Sequence, residues 1–148
     1  MKRVVVTGIG VVSCSGNNQE EIYQSLLNSK SGITFSEEYK EYNLKSHVHG
    51  IPNIKLEDYV DRKIIRFMGP GSAYNYIAMK EAVKDSGLEE KDVSNILTGM
   101  IMGSGGPSIK NVILAADKTR EKNPKKNGSF CRPQNHVKYC ISNFGCSI

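Results

Sequence analysis

The amino-acid sequence predicts a layered α/β fold, and three observations carry that expectation. A β-branched run at the N-terminus (Val4, Val5, Val6) ends in Gly8-Ile9-Gly10. The segment Ser72–Ser86 has the apolar spacing of a helix with one buried face, and Gly87 follows it. A second apolar run, Ile96–Met102, leads into a glycine cluster and then a further amphipathic stretch. Alternation of apolar strands with helices of this length is the signature of sheets covered by helices.

Taken in order, Lys2–Thr7 reads as a strand, because a continuous β-branched run suits a sheet buried on both faces. Asn17 or Asn18 caps a helix whose first turn holds Glu20 and Glu21, carboxylates suited to the positive end of the helix dipole. Ile22, Leu26 and Leu27 share one of its faces, and Gly32 closes the unit. Residues 33–60 are less regular, with Ser46–Gly50 a short strand. Asp61–Met68 has helical spacing through Ile64, Ile65, Phe67 and Met68. In Ser72–Ser86 the stripe is Ala73, Ile77, Ala78, Ala82 and Val83, and Gly87 suits a C-terminal cap. Pro107 opens the last helix, whose buried side is Ile109, Val112, Ile113 and Ala116.

Composition excludes several classes. With 39% hydrophobic and 24% charged residues over 148 positions, the chain is neither disordered nor low-complexity. No apolar run approaches the roughly 20 residues of a membrane span, and the N-terminus reads as a strand rather than a leader, so a cytoplasmic location is expected. The net charge of +5 calls for an acidic partner, with nucleic acid, anionic lipid and acidic protein all open on charge alone.

Each motif has a plain structural alternative. Gly8-Ile9-Gly10 followed by Ser13 lacks the third glycine of a dinucleotide fingerprint, so a structural turn is the better reading. Gly103-Ser104-Gly105-Gly106 lacks the Gly-Lys-Ser/Thr of a phosphate loop and is either a tight turn or the lining of a substrate site. His47 and His49 would share one strand face, yet two ligands do not make a metal site, and no metal is expected. Cys14 has no base nearby in sequence and reads as a small buried residue. Arg62, Lys63 and Arg66 fall on one helical face, either a solvated face or a docking patch for a phosphate or an acidic helix.

The segments MKRVVVTGIGVVS, SLLNSKSGITFSEE, KSHVHG, VDRKIIRFMGP and IMGSGGPS, in this order, resemble the β-ketoacyl-[acyl carrier protein] synthases, most closely the synthase I branch, from Met1 to about Lys126. The resemblance implies a thiolase-like α/β fold, here the N-terminal part of its first α/β half, in an enzyme that works as a homodimer. Members of that family are acyltransferases of fatty-acid elongation: a cysteine thiolate carries the acyl group, and two histidines assist decarboxylation of malonyl-[acyl carrier protein]. No separate cofactor is implied, since the phosphopantetheine arm arrives on the carrier protein. The partner is then acyl carrier protein and not nucleic acid, docking on Arg62, Lys63 and Arg66 with Lys126 (or Lys125) beside them. Gly105 and Gly106 would border the acyl pocket, although Pro107 stands where the family has glycine. The Ser-Ala-Cys context of the nucleophile and both histidine motifs are missing from these 148 residues, so no catalytic residue is assigned and the chain alone is expected to be inactive. A carrier-protein-binding module without chemistry, and an unrelated nucleotide-binding domain, remain as alternatives.

Residues 1–126 are therefore expected to be the N-terminal portion of a synthase domain, and 127–148 an aberrant tail. FCRPQNHVKYCISNFGCSI fits neither helical nor strand period. Back-translated from Gly128 and read one nucleotide later, the tail becomes GPFAVPKTM and then SSTVSAILAAP, which resembles the family's continuation. Lys125-Lys126-Asn127 can be written as a run of eight adenines before a thymine, and one adenine fewer restores the frame. The expectation is a one-base insertion there, real or from sequencing, with an out-of-frame tail and an early stop; the alternative is a genuine divergent C-terminus.

Overall fold

The computed structural model describes residues 2–65, 68–106 and 108–121. Its helices are α1 (Gln19–Leu27), α2 (Glu37–Glu41), α3 (Arg62–Ile65), α4 (Pro70–Ser86), α5 (Glu90–Val93) and α6 (Ile109–Arg120). The strands β1 (Thr34–Phe35) and β2 (Val48–His49) form an antiparallel pair, with Thr34 opposite His49 and Phe35 opposite Val48. Contacts divide the chain into two units, one of residues up to 55 with 78–86, the other of 56–77 with the residues from 87 on. The first half of α4 thus belongs to one unit and the second half to the other.

In the first unit, the stretch from Gly8 to Val11 lies along the second half of α4. A Cβ on Gly10 would fall onto the Ala78 carbonyl and 2.6 Å from the Ala82 nitrogen, and one on Gly8 would come 2.7 Å from the Ser86 nitrogen. Only glycine permits backbone to approach a helix this closely, and the alanines opposite keep the helix surface low. This contact accounts for both glycines of the fingerprint-like motif. Carboxylates from the same helix hold the segment: Asp85 Oδ2 accepts from the Ile9 N–H at 2.9 Å, and Glu81 Oε2 accepts from the Val11 N–H at 2.9 Å. Gln19, the first residue of α1, joins them. Its N–H donates to Glu81 Oε1 at 3.1 Å, and its side-chain amide donates to Asp85 Oδ2 at 3.1 Å and to the Ile9 carbonyl.

The start of α1 follows the sequence expectation. Asn18 is the N-cap, its Oδ1 accepting from the Glu21 N–H at 2.9 Å, while Glu21 Oε2 accepts from the Asn17 N–H at 2.7 Å. The short strand expected within Ser46–Gly50 is β2. Its partner β1 and the helix α2 between them lie in the stretch read as irregular. Ser36 joins the two, since its N–H donates to the His47 carbonyl at 2.7 Å and its hydroxyl caps α2 by accepting from the Tyr39 N–H at 3.3 Å. His47 stands edge-on to Phe35 and His49 edge-on to Tyr39, with ring centroids 6.0 and 5.5 Å apart.

The second unit holds the buried apolar core: Val60, Met68, Ala73 and Ile77. Ala73 and Ile77 are one turn apart on α4, as its apolar stripe predicts, and Gly87 ends the helix with a φ of 70°. A reciprocal cap between Glu89 and Asp92 starts α5. Among the described residues no helix is long and apolar enough to cross a membrane.

Four expectations are corrected. Neither Lys2–Thr7 nor Ile96–Met102 is a strand: Val4 is 91% exposed, Ile96 100% and Ile101 95%. A β-branched run becomes a strand only when a neighbour completes its hydrogen-bond ladder, and among the described residues neither run has one. On α6 the side expected to be buried is exposed at Ile109, Val112 and Ile113, and on α1, where only a shared face was expected, Leu26 and Leu27 are exposed too. The periodicity marked these helices and their apolar sides correctly; whether that side is covered depends on what packs there. Cys14 is half-buried rather than buried.

Two predictions follow from the glycine contact. Gly10→Ala should destabilise the chain by about 1–3 kcal/mol, the usual cost of forcing atoms into a packed site, whereas Gly71→Ala, with nothing within 4 Å of the added carbon, should be neutral or mildly stabilising; urea unfolding of both variants checks this. The hydrogen bonds from Ile9, first, and Gln19, second, hold the Asp85 carboxyl below its usual range. A depressed folded-state pKa contributes stability above the unfolded value of about 3.9 and loses it as pH falls through the folded one. The stability gap between the parent chain and Asp85→Asn should therefore be widest near neutral pH and close in acid, read from unfolding midpoints across pH; it should stay small, because this carboxylate faces solvent.

Candidate functional site

The cationic candidates stand on α3 of the second unit. Asp61 precedes the helix, and its Oδ1 accepts from the Lys63 N–H at 2.6 Å, which satisfies one of the amides that open the helix. Its carboxylate is thereby engaged with backbone, while Arg62 and Lys63 are exposed and, among the described residues, in no ion pair. The helix thus presents two free cations to solvent. Arg66 and Lys126 lie outside the described residues.

Gly105 and Gly106 are exposed, and a Cβ built on either would meet nothing within 4 Å. The turn is organised by neighbours: the Asn75 side-chain amide on α4 donates to the Gly103 carbonyl at 3.3 Å, and the Ser104 hydroxyl donates to the Gly106 carbonyl at 2.8 Å. The glycines leave their outer side open, as a surface for another chain or a ligand requires. Sequence reading missed Asn75, which lies outside the apolar stripe of this helix and carried no signal of its own.

A second feature, in the first unit, was also missed. A cleft of about 190 Å³ is lined by Ser13, Cys14, Asn17, Ser25, Lys30 and Asn53, among others. The Asn17 Oδ1 is buried without a hydrogen-bond partner there, while its Nδ2 donates to the Asn53 carbonyl at 2.9 Å. The lining is mostly polar. Among the described residues no three His, Cys, Asp or Glu side chains gather to hold a metal.

Comparison with known proteins places this architecture. The sequence pattern described as "Beta-ketoacyl synthase, N-terminal domain" matches residues 1–144. The chain belongs to that family. It is 45% identical over 120 residues to 3-oxoacyl-[acyl-carrier-protein] synthase 1 of Haemophilus influenzae and 46% identical over 123 residues to the Escherichia coli protein of the same name, in both cases over 81% of this chain. It is 30% identical over 133 residues to a Staphylococcus aureus 3-oxoacyl-[acyl-carrier-protein] synthase 2. The chain spans about 30% of the length of these two synthase 1 relatives. The structure superimposes on a β-ketoacyl synthase from Burkholderia phymatum with a TM-score of 0.79 at 24% identity, covering 97% of this chain and 37% of that one. The ishigamide ketosynthase/chain length factor matches at 0.78. The fold is therefore part of the thiolase-like α/β architecture, as the motifs implied.

Proposed function

We propose that this chain carries the carrier-protein docking part of a 3-oxoacyl-[acyl carrier protein] synthase of fatty-acid elongation, working in the cytoplasm in a family that pairs as homodimers. The observation that carries the reading is the pair of exposed cations, Arg62 and Lys63, in no ion pair among the described residues, on a helix preceded by a carboxylate, Asp61, that is engaged with backbone. An acidic helical protein is the partner that such a surface attracts, because opposite charges raise the encounter rate and fix orientation. Arg66 and Lys126 extend the patch, and Gly105 and Gly106 border the acyl chain delivered on the phosphopantetheine arm. The condensation itself needs a thiolate held in the family's Ser-Ala-Cys context and two histidines, and these 148 residues contain none of those motifs. The 148-residue chain binds carrier protein without forming carbon–carbon bonds.

Titration of the chain with Escherichia coli acyl carrier protein should show binding that weakens steeply with salt. Arg62→Glu with Lys63→Glu should weaken it about tenfold or more, since each lost pair becomes a like-charge repulsion. Unchanged affinity in the double variant would refute the docking assignment, and turnover of malonyl- and acyl-carrier protein by the chain alone would refute the division of labour.

Residues 127–148 we read as translated out of frame after the adenine run at Lys125-Lys126-Asn127. The shifted reading GPFAVPKTM supports this, since nine consecutive family-like residues emerge from one displacement. Resequencing across the run should find seven adenines in genes of related strains; eight, with the same tail kept in frame, would overturn it.

A further inference from the structure

The polar cleft of the first unit has an uneven inventory of hydrogen-bonding side chains. Its carboxylate is already engaged: Glu21 Oε2 accepts from the Asn17 N–H at 2.7 Å, and Oε1 from the Asn18 side-chain amide at 3.0 Å. The Ser25 hydroxyl donates to the Ser15 carbonyl at 2.7 Å, so its hydrogen is committed too. Asn17 Oδ1, an unmatched acceptor, is buried from solvent. Three donors are left over. Ser13 Oγ accepts from the Ser15 N–H and Ser31 Oγ from the Ile33 N–H, both at 3.1 Å. Each oxygen is thus held by backbone, while its own hydrogen has no acceptor among the described residues. Lys30 also lines the cleft and forms no ion pair among the described residues.

We propose that this cleft binds a phosphate group, free or as a monoester, with Lys30 supplying the charge and the Ser13 and Ser31 hydroxyls the hydrogen bonds. An anion fits these groups because it accepts from all of them and neutralises the lysine. The volume of about 190 Å³ selects a small one, since pockets for drug-sized ligands span about 300–1,000 Å³. Three unpaired donors outnumber the two oxygens of a carboxylate, whereas a phosphate monoester offers three. The site lies in the first unit and is independent of carrier-protein docking on α3 of the second.

The test titrates the 148-residue chain with inorganic phosphate, at ionic strength held constant with chloride, and follows the backbone amide signals by NMR. Signals of residues 13–17 and 30–32 should shift and saturate. Lys30→Gln changes an exposed side chain. It should weaken binding about tenfold or more, the scale of a hydrogen bond to a charged group, and Lys30→Arg should retain it. A parallel titration with glycerol phosphate separates the two sources: comparable affinity assigns a phosphate monoester, and much weaker affinity the free anion. Acetate should bind more weakly than either. The absence of a saturable shift at these residues would overturn the proposal, as would shifts confined to α3. Equal affinity in Lys30→Gln, or equal affinity for acetate, would overturn it as well.

Discussion

The approach of the N-terminal backbone to α4 is the constraint on which the first unit depends. Two glycines lie against Ala78, Ala82 and Ser86, and a methyl group at either position would overlap main-chain atoms of the helix. Close approach alone would strand the amides of Ile9 and Val11, which have no sheet neighbour among the described residues. Glu81 and Asp85, one turn apart on the same helix, accept those amides. Gln19 then binds both carboxylates, so the start of α1 is positioned by the network that pins the glycine segment. Glycine, alanine and two acids at helical spacing form one device, in which removing a member leaves polar groups unmatched or atoms in conflict.

The second unit is organised differently. Among the described residues its buried apolar side chains are Val60, Met68 and, on the first half of α4, Ala73 and Ile77. The residues read as functional stand around that core without being part of it: Arg62 and Lys63 on α3, the glycine turn tied to Asn75. This division suits a docking surface. The charges of Arg62 and Lys63 stay hydrated, and the docking reading proposed above expects substitutions there to act on association rather than on folding.

Exposed apolar residues are the other large feature of the molecule. In the first unit Val4–Val6 face solvent, and in the second so do Ile96, Leu97, Ile101 and one side of α6. The family comparison gives this a physical meaning, since the chain spans about 30% of the length of its synthase 1 relatives. A layered α/β fold buries each strand between neighbours drawn from distant parts of the chain.

Much of this was legible in the residues themselves. The Asn18 cap, the α4 stripe with Gly87 behind it, the helix carrying Arg62 and Lys63, and the family motifs all depend on local spacing, which a linear sequence displays directly. Glu81 and Asp85 were visible as acids on one helix face, but nothing in the sequence names the amides they accept, because those lie some seventy residues away. The same holds for Asn75 and the glycine turn. Val4–Val6 and Ile96–Met102 show the reverse case: composition declares what kind of neighbour they need, and only the tertiary structure decides whether that neighbour is present. Propensity and periodicity are properties of a segment, whereas a hydrogen-bond ladder and a buried face belong to pairs of segments, and pairing is settled in three dimensions.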